Sequence, residues 1–259
     1  MSSSSLPFLS VVIPSYNERR NVERGVLNQL VEYLEAASFT WEVIFTDDGS
    51  SDGTLQLLNE FIQQRKNSRG TWKILENIHA GKGPTVQSGM LAAQGQWRLF
   101  TDFDQSTPLF EVEKLLSWTE KGFEIVIGSR EISGAKREKE PLHRHIMGRG
   151  FNFLVQALAI PGIYDTQCGF KLFSNESTET LFPKMHVYGK QEERPDAFTG
   201  AFDVELLFLA RKNNILIKEV PIIWHHNETD RVSPLKDSLR MLRDILRVRM
   251  ADLAGTYRN

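Results

Sequence analysis

LSVVIPSYNE, Leu9–Glu18, is a short apolar run rich in β-branched residues that stops at a proline and a polar turn. That composition and length suit a strand buried on both faces of a parallel sheet. Directly after it Val22, Val26, Leu30 and Leu34 recur at helical spacing as far as Ala37. WEVIFT (Trp41–Thr46) reads as a second strand and ends in DDGSSDG, where Ser51 or Asp52 can cap a helix carrying Leu55, Leu58 and Ile62 on one side. WKILEN (Trp72–Asn77), a helix near Pro84–Ala93, QWRLFT (Gln96–Thr101), a helix near Leu109–Trp118 and EIVIGS (Glu124–Ser129) continue the alternation. Five strands with intervening helices predict an α/β fold, a mainly parallel sheet covered by helices on both faces. Such sheets bind ligands beyond the carboxyl ends of their strands. Here those ends read Tyr16-Asn17-Glu18, Asp47-Asp48-Gly49, Asp102-Phe103-Asp104 and Gly128-Ser129-Arg130, four polar strand ends along one edge.

The second half is less regular. Ser133–Glu140 reads as a charged, mobile loop, Pro141–Ala159 as helical, GFKLF (Gly169–Phe173) as a strand and Lys190–Pro195 as another charged loop. Asp203–Lys212 is expected to be a helix and Ile215–Ile222 a strand. No stretch has linker composition and no repeat is visible, so residues 1–259 are expected to form one domain. Of the 259 residues 41% are hydrophobic and 25% charged, which excludes wholesale disorder. A net charge of -2 gives no reason to expect a nucleic-acid partner. The single cysteine, Cys168, excludes an internal disulfide and a cysteine-rich zinc module and fits a reducing compartment. No run approaches the roughly 20 apolar residues of a membrane span. MSSSSLPFLS lacks the basic start and apolar middle of a signal peptide and reads as a polar tail. A cytoplasmic protein is expected, soluble or peripheral on the cytoplasmic membrane face.

Asp102-Phe103-Asp104 carries the most chemistry. Residues two apart in an extended chain point the same way, so both carboxylates can face one hard cation while Phe103 packs inward. Taken alone, the pair reads equally as two solvated aspartates at a turn. Gly81-Lys82-Gly83 invites a phosphate-loop reading but lacks the glycine spacing and the Ser/Thr after the lysine that such a loop needs. His143/His145, on different faces if that segment is helical, and His225-His226, on opposite sides after a strand, do not converge on one metal, and Cys168 reads as a buried small hydrophobe.

VVIPSYNE, TDDGSSDGT and TDFD occur in the order and approximate spacing of glycosyltransferase family 2, and the chain resembles that family over nearly its whole length. IGSR (Ile127–Arg130), PLHRHIMGRGFN (Pro141–Asn152), DTQCGFKLF (Asp165–Phe173) and AFDVELLFLA (Ala201–Ala210) resemble the polyprenyl-phosphate sugar transferases, and DTQCGFKLF is similar to their dolichyl-phosphate β-glucosyltransferase branch. The resemblance implies a GT-A fold, transfer of a hexose (glucose from UDP-glucose) to a polyprenyl or dolichyl phosphate, and inversion. It places Pro14, Tyr16, Glu18, Asp47 and Asp48 at the nucleotide, Asp48 accepting a hydrogen bond from uracil, and brings Lys82 near base or phosphate. Asp102 and Asp104 would hold Mg²⁺ or Mn²⁺. Arg130 and Arg144 would meet the acceptor phosphate, helped by Arg149, because Gly148 stands where the mannosyl branch has a serine. Ser106 stands where some relatives have an amide metal ligand, with Gln105 one place early. Asp104, Arg130, Arg144 and Asp203 are the expected catalytic residues. A hydroxyl acceptor would need a base, for which Asp203, Glu205 and Asp165 are candidates; nucleotidyl transfer and non-catalytic sugar-nucleotide binding are the further alternatives.

The last helical pattern spans Pro234–Leu253. Leu235, Leu239, Leu242 and Leu246 form an apolar stripe beside Lys236, Arg240, Arg243 and Arg247. That pattern suits either packing on the domain or an amphipathic helix resting on a membrane surface.

Overall fold

In the computed structural model residues 6–137, 159–189, 200–226 and 234–258 are described, with Gln156 and Glu193 standing alone and the side chains of 234–238 left aside. A seven-stranded sheet forms the centre. Its strands are β1 (Leu9–Ser15), β2 (Trp41–Asp47), β3 (Thr71–Glu76), β4 (Trp97–Thr101), β5 (Ile125–Ser129), β7 (Phe170–Ser174) and β8 (Ile217–Pro221), in the order β3-β2-β1-β4-β7-β5-β8. All neighbours are parallel except β7, which runs antiparallel to both β4 and β5. The order reverses at β1, from which β2 and β3 extend one way and β4 the other.

At that reversal the ladders separate. β1 pairs with β2 from Leu9 to Ser15 but with β4 only from Leu9 to Val12. The oxygen of Ser15 accepts the N–H of Asp48, so Pro14 faces the β4 side, where the ladder has already ended and its missing N–H leaves no gap. A crevice therefore opens between the ends of β1 and β4, the place where open α/β sheets bind ligands.

Two apolar layers sandwich the sheet. On one side Val86 and Met90 of α4 (Lys82–Ala92) and Phe202, Val204 and Leu206 of a later helix pack on Val12, Ile44, Phe100 and Phe173. On the other, α2 (Asn28–Ala36), α3 (Thr54–Gln63) and α5 (Val112–Thr119) cover Val11, Ile13, Val43, Phe45 and Leu172. Alternation along each strand feeds both layers.

Several expectations shift in detail. The helix after β1 is broken into α1 (Arg19–Glu23) and α2, because Gly25 adopts φ +72°. Asp52 lies one residue before the cap of α3, Gly53, and its carboxylate takes the N–H and hydroxyl of Thr54. The charged stretch after β5 is not wholly a loop: β6 (Lys136–Arg137) pairs in parallel with β9 (Ile223–Trp224). α6 (Asn175–Leu181), capped by the Ser174 hydroxyl, was not legible as a helix. α7 (Phe202–Lys212) and α8 (Pro234–Leu253) lie where periodicity places them. The helix expected over Pro141–Ala159, the loop Lys190–Pro195, and Arg144, Arg149, His143 and His145 fall outside the described residues, save for scattered positions.

Candidate active site

The loops leaving β1 and β2 are laced together. The N–H of Asn17 donates to the Ser50 hydroxyl (2.9 Å), Ser51 N–H to Asn17 Oδ1 (2.9 Å) and Glu18 N–H to the Thr54 hydroxyl (2.7 Å). Asn17 turns through φ +52°, a conformation asparagine tolerates. Asp47 is buried and accepts the Ser50 N–H and hydroxyl and the Ser15 hydroxyl.

Asp48 organises a second loop. Its Oδ1 accepts from Ala80 N–H (2.9 Å), Gly81 N–H (3.2 Å) and the Thr85 hydroxyl (2.9 Å), and its Oδ2 meets His79 Nδ1 (2.9 Å). A carboxylate has about four lone-pair sites, so these four donors engage it fully and leave no site for the uracil hydrogen bond that the resemblance assigns to Asp48. The reward is a fixed path for residues 79–83, including Gly81 at φ +92°, which sets Lys82 at the first turn of α4. The His79 ring lies on Tyr16, centroids 4.1 Å apart and planes within 5°, and its Nε2 is buried with no partner among the described residues. Sequence reasoning missed His79.

Across the crevice β4 ends in the paired aspartates. Phe103 is buried against Phe45, as alternation requires. Lys82 Nζ lies 2.5 Å from Asp102 Oδ1. Asp104 accepts the Ser106 N–H and hydroxyl, both at 2.9 Å. Burial and then the neighbouring Asp102 push the Asp104 carboxyl above the ordinary aspartate range. A carboxylate raised by its neighbour in this way fits a cation shared by the pair. Among the described residues no group of three His, Cys, Asp or Glu side chains surrounds a common point. A pair of carboxylates is a ligand set to which phosphate oxygens and water can be added around a hard ion.

β7 supplies the floor, a role that sequence reasoning did not assign. Asp102 N–H donates to Gly169 O (3.1 Å), and the carboxylate lies so close over Gly169 that a Cβ there would fall 2.0 Å from Oδ2. Lys171, wholly buried, donates to Asp203 Oδ1 (2.8 Å) and to the carbonyl of Cys168. Asp203 stands in the first turn of α7; burial pushes its carboxyl up, against the pull of Lys171 and Lys82. Asp102, Lys82, Asp203 and Lys171 thus form one cluster of alternating charge. The clue in the sequence was Lys171 itself, an ammonium in the middle of an apolar strand, which demands a buried partner.

Arg130 follows β5. Its Nε and Nη2 form a fork on Asp165 at 2.8 Å each, its N–H donates to the same carboxylate, and its guanidinium lies 5.5 Å from the Trp224 ring. Despite burial, Arg130 holds the Asp165 carboxyl below the ordinary range. Glu205 accepts N–H groups from His186, Val187 and Tyr188 and the hydroxyl of Tyr257. Burial and Asp165 push the Cys168 thiol up to about 12, an inert state.

A parallel sheet with a polar crevice at its reversal point, paired aspartates at one lip and an aspartate-clamped loop at the other, defines a nucleotide-sugar-dependent glycosyltransferase of GT-A architecture. The chain belongs to glycosyltransferase family 2, whose model, Glycosyl transferase family 2, matches residues 10–182. It is 35% identical over 263 residues to the dolichyl-phosphate beta-glucosyltransferase of Dictyostelium discoideum, covering 97% of this chain and 76% of that one. With the Homo sapiens dolichyl-phosphate beta-glucosyltransferase it shares 35% over 270 residues, covering 96% and 77%. Among solved structures, the Pyrobaculum calidifontis mannosyltransferase PcManGT in complex with GDP-Man and Mn2+ superposes with TM-score 0.54 at 16% identity, over 99% of this chain and 77% of that one. S. aureus TarS 1-349 in complex with UDP-GlcNAc gives 0.54 at 17%, over 92% of this chain and 66% of that one. These two share the fold.

Proposed function

We propose that the chain transfers glucose from UDP-glucose to dolichyl phosphate, or a similar polyprenyl phosphate, with inversion at the anomeric carbon. The observation that carries the reading is the Asp102–Asp104 pair at the lip of the β1/β4 crevice, in a chain matched over 96–97% of its own length with dolichyl-phosphate beta-glucosyltransferases. Tyr16 and His79 form a planar wall for the base, with Asp48 supporting it through the loop it clamps. Asp102 and Asp104 would hold Mg²⁺ or Mn²⁺, which when bound neutralises charge on the departing diphosphate. Lys82 is within reach of the same phosphates.

The acceptor phosphate needs no strong base, because its second pKa is about 6 and it is already an anionic nucleophile near neutrality. The side chains agree. Asp165, Asp203 and Glu205, the three candidate bases for a hydroxyl acceptor, are engaged by Arg130, by Lys171 and by backbone amides with Tyr257. Asp203 acts in this reading through the lysines it faces. Arg130, its fork set by Asp165, is the proposed ligand of the acceptor phosphate, with Arg144 and Arg149 as its expected helpers.

α8 is the proposed contact with the membrane that carries the lipid. Ile245 and Val248 are buried, whereas Leu239, Leu246, Met250 and Leu253 on the opposite face are exposed. Arg243 and Arg247 flank that stripe with their side chains 73% and 50% exposed. Among the described residues no helix is long and apolar enough to cross a membrane. An apolar ridge edged by arginines suits the headgroup boundary of an anionic bilayer on the cytoplasmic side.

The test is direct: incubate the chain with UDP-glucose, UDP-GlcNAc or GDP-mannose and a short polyprenyl phosphate, with Mn²⁺, Mg²⁺ or chelator, and weigh the product. A β-linked glucosyl phospholipid formed from UDP-glucose alone, and lost in chelator, is expected. Transfer to a hydroxyl, or full turnover in chelator, would overturn the reading.

A further inference from the structure

Two lysines serve the aspartate cluster, and they are built differently. Lys171 is wholly buried on the central sheet and tied to both Asp203 and the Cys168 carbonyl, so its ammonium has no room to move. The Lys82 side chain is 24% exposed, and its ion-pair partner among the described residues is Asp102. Its backbone, in contrast, is fixed: the Asp48 clamp on Ala80 and Gly81 and the start of α4 set its Cα. A rigid base with a flexible four-carbon stem lets the ammonium swing while its origin stays put.

The Asp102 backbone is held equally firmly, and although its side chain is 38% exposed the carboxylate sits on a single-carbon stem. Its N–H goes to Gly169 O, its carbonyl accepts the side-chain amide of Gln105 (2.9 Å), and the carboxylate lies against Gly169. The movable member of the Lys82–Asp102 pair is therefore the lysine. With Lys82 in place the cluster holds two ammonium groups against Asp102, Asp104 and Asp203.

We propose that the Lys82 ammonium is the resident counter-ion of Asp102, and that the donor enters by exchange: a divalent cation takes over Asp102 while the released ammonium turns to a phosphate oxygen of the nucleotide-sugar. This rests on the donor and cation assignments made above. The exchange makes cation and nucleotide cooperative, since the cation liberates the group that the diphosphate then uses, and the diphosphate in turn keeps the ammonium from returning. No covalent step is involved; one ion pair is traded for two.

The experiment titrates Mn²⁺ into the nucleotide-free full chain by electron paramagnetic resonance, for wild type, Lys82→Met and Lys82→Arg, and then measures UDP by calorimetry with and without saturating Mn²⁺. Lys82→Met is expected to bind Mn²⁺ about tenfold tighter, roughly 1.4 kcal/mol, while UDP at saturating Mn²⁺ binds it about tenfold more weakly; Lys82→Arg stays near wild type for Mn²⁺. In wild type, amine labelling read by mass spectrometry should show Lys82 becoming more reactive with Mn²⁺ alone and protected again when UDP is added. That readout needs no variant and so survives a folding defect in Lys82→Met. Unchanged or weaker Mn²⁺ binding in Lys82→Met, or Lys82 labelling indifferent to Mn²⁺, overturns the exchange while leaving the cation reading intact. No Mn²⁺ binding by any form overturns both.

Discussion

Gly169→Ala separates the positioning of the Asp102 carboxylate, a proposed cation ligand, from the chemistry of the carboxylate itself. The added Cβ would lie 2.0 Å from Asp102 Oδ2, 2.3 Å from Cγ and 2.5 Å from Oδ1. Ordinary contact between carbon and a neighbouring heavy atom is about 3.5 Å, so the carboxylate must retreat by roughly 1.5 Å. Gly169 O also receives the Asp102 N–H, and Gly169 directly precedes β7, which is paired with β4 from Phe170 and with β5 from Lys171, so the chain there has little freedom to yield instead. A 1 Å misplacement of a reacting or positioning group can cost about 100-fold in rate, equivalent to about 2.7 kcal/mol in the barrier. Turnover should therefore fall by about two orders of magnitude at saturating donor, with Mn²⁺ affinity falling alongside. Overpacking of this kind costs typically 1–3 kcal/mol of stability, so rates are measured well below the melting temperature and normalised to folded protein. Wild-type turnover and wild-type Mn²⁺ affinity in a folded Gly169→Ala protein would refute the claim that β7 sets Asp102.

Other substitutions probe separate parts of the site. Asp104→Asn should lose most turnover and Mn²⁺ binding yet melt no lower than wild type, because burial and Asp102 already disfavour its charge; a lowered melting temperature with intact Mn²⁺ binding contradicts this. Arg130→Ala should cost about 3–5 kcal/mol in denaturant titration by stranding buried Asp165, and adding Asp165→Asn should recover part of it; additive losses would exclude the coupling. Because Arg130 holds the Asp165 carboxyl below its unfolded value of about 3.9, the stability from this pair is present above that value and lost as pH falls through the lower folded pKa, so the acid limb of the stability curve should flatten in the double variant. Arg243→Gln/Arg247→Gln, placed on the outer face of α8, should abolish co-sedimentation with phosphatidylserine vesicles at low salt while leaving transfer to a detergent-dispersed acceptor unchanged; wild-type chain that ignores anionic vesicles at every salt concentration removes the surface role of α8.

How much of this was legible in the sequence follows from which signals are local. The seven strands of the central sheet lie within two residues of their expected limits because each is a compact apolar run, whereas β6 and β9, two residues each, carry no such signal; α8 lies on its periodicity. α6 was illegible because NESTETL has no apolar stripe, its start being set by one serine hydroxyl. The paired aspartates were legible as carboxylates aimed one way. What they face was not, since it depends on strand order. Inserting β7, antiparallel, between β4 and β5 puts Gly169 beneath Asp102, while its register sets Lys171 opposite Phe100, and nothing in the spacing of TDFD and DTQCGFKLF, more than sixty residues apart, sets that register. The resemblance marked DTQCGFKLF without a reason for it; the fold supplies one residue at a time. Asp165 fixes the fork of Arg130, Gly169 makes room for Asp102, and Lys171 balances Asp203. The motif is the electrostatic floor of the crevice, and it leaves the cluster one negative charge in excess while Lys82 is paired. A cluster short of positive charge attracts a cation, and in the proposed exchange the ammonium that the cation releases is what would make a diphosphate bind together with it.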